Sequence, residues 1–211
     1  MFKSTFVLLV LVFISFFTSC KPDTRADVYQ ASAFSDYPMQ AIIEIPAGTS
    51  HKIEFNAETQ VFENDQIDGK DRVIDFLPYP GNYGFIPSTL MDAERGGDGD
   101  ALDVLVIAEQ LATGTKVAII PIAALSLKDN GELDTKVIAI PADTSLQIIK
   151  AQDFRRFSME YSAAKNIIEQ WFLNYKGLGQ VELLGWKNEQ VALAEIKKWR
   201  LPAAIEVKPV E

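Results

Sequence analysis

A chain of 211 residues with 48% hydrophobic content suits one domain built on a single apolar core. A formal net charge of −9 excludes a nucleic-acid binder that works through a basic footprint, and a single cysteine excludes an internal disulfide. Neither excludes phosphate as a ligand, since a few well-placed cations and metal ions can neutralise a small anion locally. No internal repeat or low-complexity tract is visible.

In chain order, Lys3 supplies a short positive region, and residues 5–17 form an apolar run that leads through Phe17, Thr18 and Ser19 to Cys20. The run is shorter than the roughly 20 residues of a membrane-spanning helix. It resembles a bacterial lipoprotein signal cut before Cys20, with Phe17 and Thr18 departing from the usual residues. An ordinary secretory signal or an uncleaved anchor is the alternative. The resemblance implies a signal peptide over 1–19, lipidation at Cys20, a flexible tether over 20–37, a folded domain over 38–205 and a tail over 206–211. It also implies an extracytoplasmic lipoprotein, anchored on the periplasmic side of a bacterial membrane through lipid only.

Residues 41–45 read as a strand stopped by Pro46, and 47–50 as the turn after it. Lys52, Ile53, Glu54 and Phe55 alternate charged and apolar, the pattern of a half-buried strand. Ile53 and Phe55 then face the core, while Lys52 and Glu54 share the other face about 7 Å apart. Further strands are predicted over 72–76, 103–107, 116–120, 122–127 and 136–140. After Pro141 the period becomes helical: Ile167, Ile168, Trp171, Phe172 and Tyr175 mark one apolar face, ended by Lys176 and Gly177. A second helix opens near Asn188 and buries Leu193, Ile196 and Trp199 before Pro202. Short strands followed by two helices predict an antiparallel barrel with helices packed on its outside.

The chemistry concentrates in a few stretches. Asp98, Asp100 and Asp103 place three carboxylates within six residues, at the mouth of an apolar strand. Carboxylates this close repel, and an all-oxygen cluster suits Mg²⁺, Mn²⁺ or Ca²⁺ better than zinc. A solvated turn is the alternative. An EF-hand is rejected, because Leu102 and Asp103 occupy the fifth and sixth loop positions and a strand follows. Asp129 and Asp134 flank an Asn130-Gly131 turn ahead of Lys136, either as ligands and a phosphate grip or as a solvated acidic hairpin. Residues 76–87 form a proline- and glycine-stiffened extended segment carrying Tyr79 and Tyr83, either hydroxyl donors or a packed aromatic loop. Tyr175 and Lys176 are a phosphate-binding pair or a helix cap. His51 is the only histidine, so an imidazole-rich zinc site and histidine-activated nucleophiles are excluded, and no P-loop is present.

Taken together, these elements resemble the family I soluble inorganic pyrophosphatases, from about Gln40 to Trp199. The family's Asp-x-Asp-Pro-x-Asp-Val-Leu pattern is met at Asp98, Asp100 and Asp103, with Ala101 in place of the proline. Its Ile-Glu-Ile-Pro strand is met at Glu44, its Lys-x-Glu pair at Lys52 and Glu54, and its Asn-Tyr-Gly loop at Tyr83, with Tyr79 four residues earlier. Asp129, Asp134 and Lys136 meet the next element, and Tyr175 with Lys176 the last. Arg72 is the candidate phosphate-binding arginine, one residue short of a common bacterial spacing to Tyr83.

The resemblance implies a β-dominated α+β fold, an OB-like five-stranded antiparallel barrel with flanking helices. It implies Mg²⁺-dependent hydrolysis of pyrophosphate, arriving as its magnesium complex, by a metal-bound hydroxide without a covalent intermediate. Several Mg²⁺ ions act per site, with Mn²⁺ as a possible substitute. Asp98, Asp103 and Asp134 would bind the first metal, with Asp103 bridging to a second. Asp129 and Glu44 would help hold ions that arrive with the substrate. Asp100 would take the water's proton, and Lys52, Arg72, Tyr83, Lys136, Tyr175 and Lys176 would grip the phosphoryl groups, supported by Glu54 and Tyr79. A homo-oligomer, dimer or hexamer, is implied, with no nucleic-acid partner. The alternatives are a hydrolase of other phosphoanhydrides such as short polyphosphate, or a non-catalytic metal- or phosphate-binding surface lipoprotein.

Overall fold

A computed structural model describes residues 39–201, so the expected signal, the tether with Cys20, and the tail at 206–211 lie outside the described residues. Strands β1 (Met39–Ile45), β2 (Ile53–Asn56), β3 (Val61–Asn64), β4 (Gln66–Ile67), β5 (Lys70–Asp71), β6 (Asn82–Phe85), β7 (Asp103–Val106), β8 (Lys116–Asp129) and β9 (Glu132–Pro141) precede helices α1 (Phe154–Glu160) and α2 (Ser162–Asn174). Strand β10 (Val181–Asn188) and helix α3 (Glu189–Trp199) follow. The main sheet runs β1-β6-β7-β9-β8-β10, and β1 also pairs with β8, which closes five strands into a ring with β10 added on the outside. The barrel is the one expected, although one seam, β7 with β9, runs parallel. Among the described residues no helix is long and apolar enough to cross a membrane.

The core falls into three clusters, and strand alternation along β7 and β9 separates the two large ones. Leu105, Ile138 and Ile140 join Phe157, Ile168, Trp171 and Phe172 of α1 and α2. Val104, Val106, Val137 and Ala139 join Ile196 and Trp199 of α3 instead. Both faces of β7 and β9 are therefore buried along 104–106 and 137–140, and those segments read as continuous apolar runs. Asp103 in β7, and Asp134 and Lys136 in β9, continue the parity of Leu105 and Ile138 beyond the end of that apolar cluster.

Several expectations change. Residues 72–76 are not a strand; only Val73 makes an isolated bridge, to His51. The Asp68-Gly69 turn, with φ of +53° and +72°, folds β4 back on β5 just before Arg72, and Val73 and Phe76 stay exposed. An Asp-Gly pair is a strong hairpin signal, which the expectation of a strand over 72–76 left unused. The strands expected at 116–120 and 122–127 are one strand, β8, which passes Pro121 through a register shift before Ala123. That irregularity accommodates a residue without an N–H. Ile53 is only partly buried, whereas Phe55 is buried. Ile167 is 60% exposed and Leu193 36% exposed, because the buried stripes are Ile168–Trp171–Phe172 and Ala192–Ile196–Trp199, each about 100° round from the residue misassigned. Strands β3, β4, β5, β6 and β10 and helix α1 were not anticipated.

The segment read as a turn-rich loop contains β6, a strand wedged between β1 and β7. Its Gly84 is required by close approach, since a Cβ there would lie 1.9 Å from the Ile42 carbonyl oxygen. Gly84→Ala is expected to destabilise the protein by about 3 kcal/mol or more in urea unfolding. Gly48→Ala, in open space at φ +80°, is expected to cost only about 1 kcal/mol. Equal costs would contradict the packing assigned to β6.

Candidate active site

The acidic loop is held by backbone bonds to the segment after β6. Met91 N donates to the Asp100 carbonyl at 2.7 Å, Gly99 N to the Met91 carbonyl at 2.7 Å, and Ile86 N to the Leu102 carbonyl at 2.9 Å. Buried Thr89 receives Leu102 N on its Oγ1 at 2.9 Å. Asp98 and Asp100 stand exposed on this loop, and Asp103 opens β7. The Asn130-Gly131 turn between β8 and β9, with φ of +49° and +96°, presents Asp129 at one strand end and Asp134 and Lys136 along the other.

Lys136 is buried, 4% exposed, and its ammonium ion-pairs with both Asp103 and Asp134. Burial would lower its pKa, but the two carboxylates more than offset that and hold it well above the usual lysine range. The same ammonium lies 5.7 Å from the centroid of the Tyr83 ring. The solvated-lysine reading of this hairpin is thereby overturned. Lys176 ion-pairs with Asp129, and Lys52 with Glu54. Arg72 Nη1 donates to Asp65 at 2.9 Å.

An aromatic wall backs these charges. Tyr79 lies 5.3 Å from Tyr83 and 4.5 Å from Trp171, and Tyr175 stacks on Trp171 at 4.7 Å and 10°. Trp171 is itself fixed by a 2.8 Å bond from its Nε1 to the Leu77 carbonyl. Burial pushes the Tyr83 and Tyr79 phenols above their ordinary range, so both remain protonated donors. Tyr175 caps α2, as one reading of the Tyr175–Lys176 pair expected, and both residues also line the cleft.

One open cleft of about 340 Å³ gathers every residue predicted for the site except Cys20, which lies outside the described residues. Arg72 is among them despite its short spacing. The sequence reading missed Trp171 and Phe172 as walls, and Asn130, Glu132 and Leu133 as rim. Both aromatics were legible as an apolar helix face, but nothing local indicated that this face borders a polar cleft.

The sequence model described as inorganic pyrophosphatase matches residues 41–202. The chain belongs to the inorganic pyrophosphatase family. It is 34% identical over 164 residues to the inorganic pyrophosphatase of Neisseria meningitidis serogroup B, covering 76% of this chain and 85% of the relative. It is 36% identical over 164 residues to that of Aquifex pyrophilus, covering 74% and 84%. Among solved structures, the inorganic pyrophosphatase of Thermus thermophilus superposes with a TM-score of 0.69 at 29% identity, over 82% of this chain and 95% of that one. The Neisseria gonorrhoeae enzyme gives 0.66 at 30% identity, over 84% and 96%.

The donor chemistry of this pyrophosphatase-family cleft fits hard divalent cations. Among the described residues no three acidic, histidine or cysteine side chains are grouped as a ready cage. The donors are nevertheless all oxygen; Asp129 Oδ1 is buried with no hydrogen-bond partner, and Asp134 Oδ1 is buried against the Lys136 ammonium.

Glu44, 9% exposed at the end of β1, accepts a 2.8 Å bond from Phe55 N. Desolvation nevertheless pushes its carboxyl up to about 8 from an ordinary 4.5. The folded protein thus keeps a proton between pH 4.5 and 8 that the unfolded chain has lost. The stability this gives is complete below pH 4.5 and is lost as pH rises through 8. In chelator, Glu44→Gln is expected to flatten the fall of urea-unfolding stability across that window. Parallel profiles for the two proteins would place the titration elsewhere.

Proposed function

We propose that this chain hydrolyses inorganic pyrophosphate to two orthophosphates in a magnesium-dependent reaction without a covalent intermediate. The observation that carries this reading is one cleft in which Lys52, Arg72, Lys136 and Lys176 face five aspartates across a wall of protonated phenols. Two phosphoryl groups bring enough negative charge to need several cations, and the carboxylates need a compensating charge of their own.

Asp98, Asp103 and Asp134, with Asp129 and Glu44, are the residues that would hold Mg²⁺, which supplies Lewis-acid neutralisation of phosphoryl charge and acidifies water. Asp100 accepts the proton of the attacking water. Partial desolvation, then the charges of Asp98 and Asp103, raise its carboxyl above the ordinary range and make it a stronger base. As the water oxygen bonds to one phosphorus, the bridging oxygen leaves with the other phosphoryl group. Arg72, Lys136, Lys176 and the Tyr83 and Tyr175 hydroxyls bind the phosphoryl oxygens and meet the charge on the leaving group. Positioning and electrostatics do this work, so no nucleophilic side chain is needed.

Orthophosphate release from pyrophosphate is expected to rise from nothing as Mg²⁺ is titrated from zero. Asp100→Asn should lower kcat about 10²- to 10⁴-fold, and Asp103→Asn should in addition raise the Mg²⁺ concentration required. A folded wild-type protein that is inactive across Mg²⁺ and Mn²⁺ would favour a binding module. Faster turnover of tripolyphosphate or nucleotides would move the substrate class.

The same proposal extends to location and assembly. The apolar run at 5–17 ending at Cys20 supports a lipid-anchored, extracytoplasmic enzyme, and the family resemblance supports a homo-oligomer. The mass of membrane-extracted protein is expected to correspond to a chain beginning at lipid-modified Cys20, and an intact Met1 would remove the lipoprotein reading and leave an uncleaved apolar anchor.

A further inference from the structure

Arg72 reaches the cleft from an irregular segment, not from a strand, so something other than a β-ladder must aim it. Besides a 2.8 Å bond from Ile74 N to the Ser50 carbonyl, three backbone bonds tie that segment down. Lys52 N donates to the Arg72 carbonyl at 3.0 Å, Asp65 N to the Lys52 carbonyl at 2.8 Å, and Arg72 N to the Asp65 carbonyl at 2.7 Å. Asp65 is the hub of this triangle and adds the 2.9 Å side-chain bond to Arg72 Nη1. The intervening β4–β5 hairpin is clipped shut behind it, with Asn64 Nδ2 donating to Asp71 Oδ2 at 2.9 Å and Gln66 Nε2 to Asp71 Oδ1.

Asp65 does not line the substrate cleft. It faces a separate depression behind it, with Glu54, Asn64 and Asp71. Its carboxylate engages one nitrogen of a guanidinium that carries five N–H donors, which leaves others for an anion. An arginine held on one side by a carboxylate and presented on the other to phosphate is pre-organised, because its rotamer freedom is already spent before the ligand arrives.

We propose that Asp65 is a positioning residue that aims Arg72 at a phosphoryl group and couples it to Lys52, a role that rests on the pyrophosphate reading. Asp65→Ala in the full-length chain is expected to lower kcat/KM for pyrophosphate by about tenfold, mostly through KM, as expected for loss of a charged hydrogen bond. Asp65→Glu should recover part of the loss. In an Arg72→Ala background, Asp65→Ala should add almost nothing, because its effect runs through the guanidinium. A merely structural role would instead give additive losses and a lowered urea midpoint in both backgrounds. Asp65→Asn, which keeps the side chain's volume and the backbone triangle, serves if the alanine variant does not fold. Wild-type behaviour of the Ala and Asn variants, or additivity in the double variant, would overturn the role. The same cycle read by calorimetry with inorganic phosphate needs no turnover. An inactive wild type whose phosphate affinity still shows the non-additive pattern would sink the pyrophosphate reading and keep Asp65's role. Additive phosphate affinities would sink the latter.

Discussion

Burying an ammonium group costs several kcal/mol unless carboxylates meet it, and Lys136 is buried with Asp103 and Asp134 against its nitrogen. The parallel register of β7 and β9 produces this contact. Val104 pairs with Val137, so the residue before one strand's apolar run lies beside the residue before the other's. A one-residue slip of β9 would turn Lys136 and Asp134 together to the opposite face and leave Asp103 without its ammonium partner. The barrel's closure, the cleft's charge and the position of the acidic loop therefore share one constraint. The apolar parts of β7 and β9 set the register, and the polar residues at their ends make any other register expensive.

The aromatic wall makes this charge usable. Tyr83 packs near both Lys136 and Phe172, and Tyr79 touches Trp171, so α2 closes the side of the cleft that the strands leave open. The wall excludes water from one side of the ammonium and carboxylate groups, which strengthens their fields and fixes the hydroxyls as donors. The opposite side is left to the exposed Asp98 and Asp100 loop, open to solvent. A charged substrate with its ions thus has an entry side and a rigid side.

Positioning of this quality depends on side chains that do no chemistry. Asn82, fully buried, accepts Leu111 N at 2.7 Å and Ala47 N at 3.1 Å, and donates to the Glu109 carbonyl at 2.9 Å. It thereby joins the start of β6 to the turn after β1 and the loop after β7. Thr89 does the same for the acidic loop, with its Oγ1 donating to the Ile86 carbonyl at 2.5 Å. Neither residue stood out in the linear chain, because the bonds that join separate segments, Leu111 N to Asn82 and Leu102 N to Thr89, span 29 and 13 residues and leave no local pattern.

The sequence by itself determined what short-range chemistry determines. The three aspartates ahead of an apolar strand, the Asn-Gly hairpin carrying Asp129, Asp134 and Lys136, and the periodic stripe through Trp171 and Phe172 were legible because composition and period act over a few residues. The barrel class and the membership of the cleft were legible through those motifs in order. Tertiary structure alone decided that β1 pairs with β8 to close the ring, that β7 and β9 run parallel, that residues 82–85 form a strand between β1 and β7, and that Arg72 leans on Asp65. Those outcomes depend on which distant backbone groups satisfy one another once the apolar faces are buried, and a residue's neighbours in the chain carry no record of that choice.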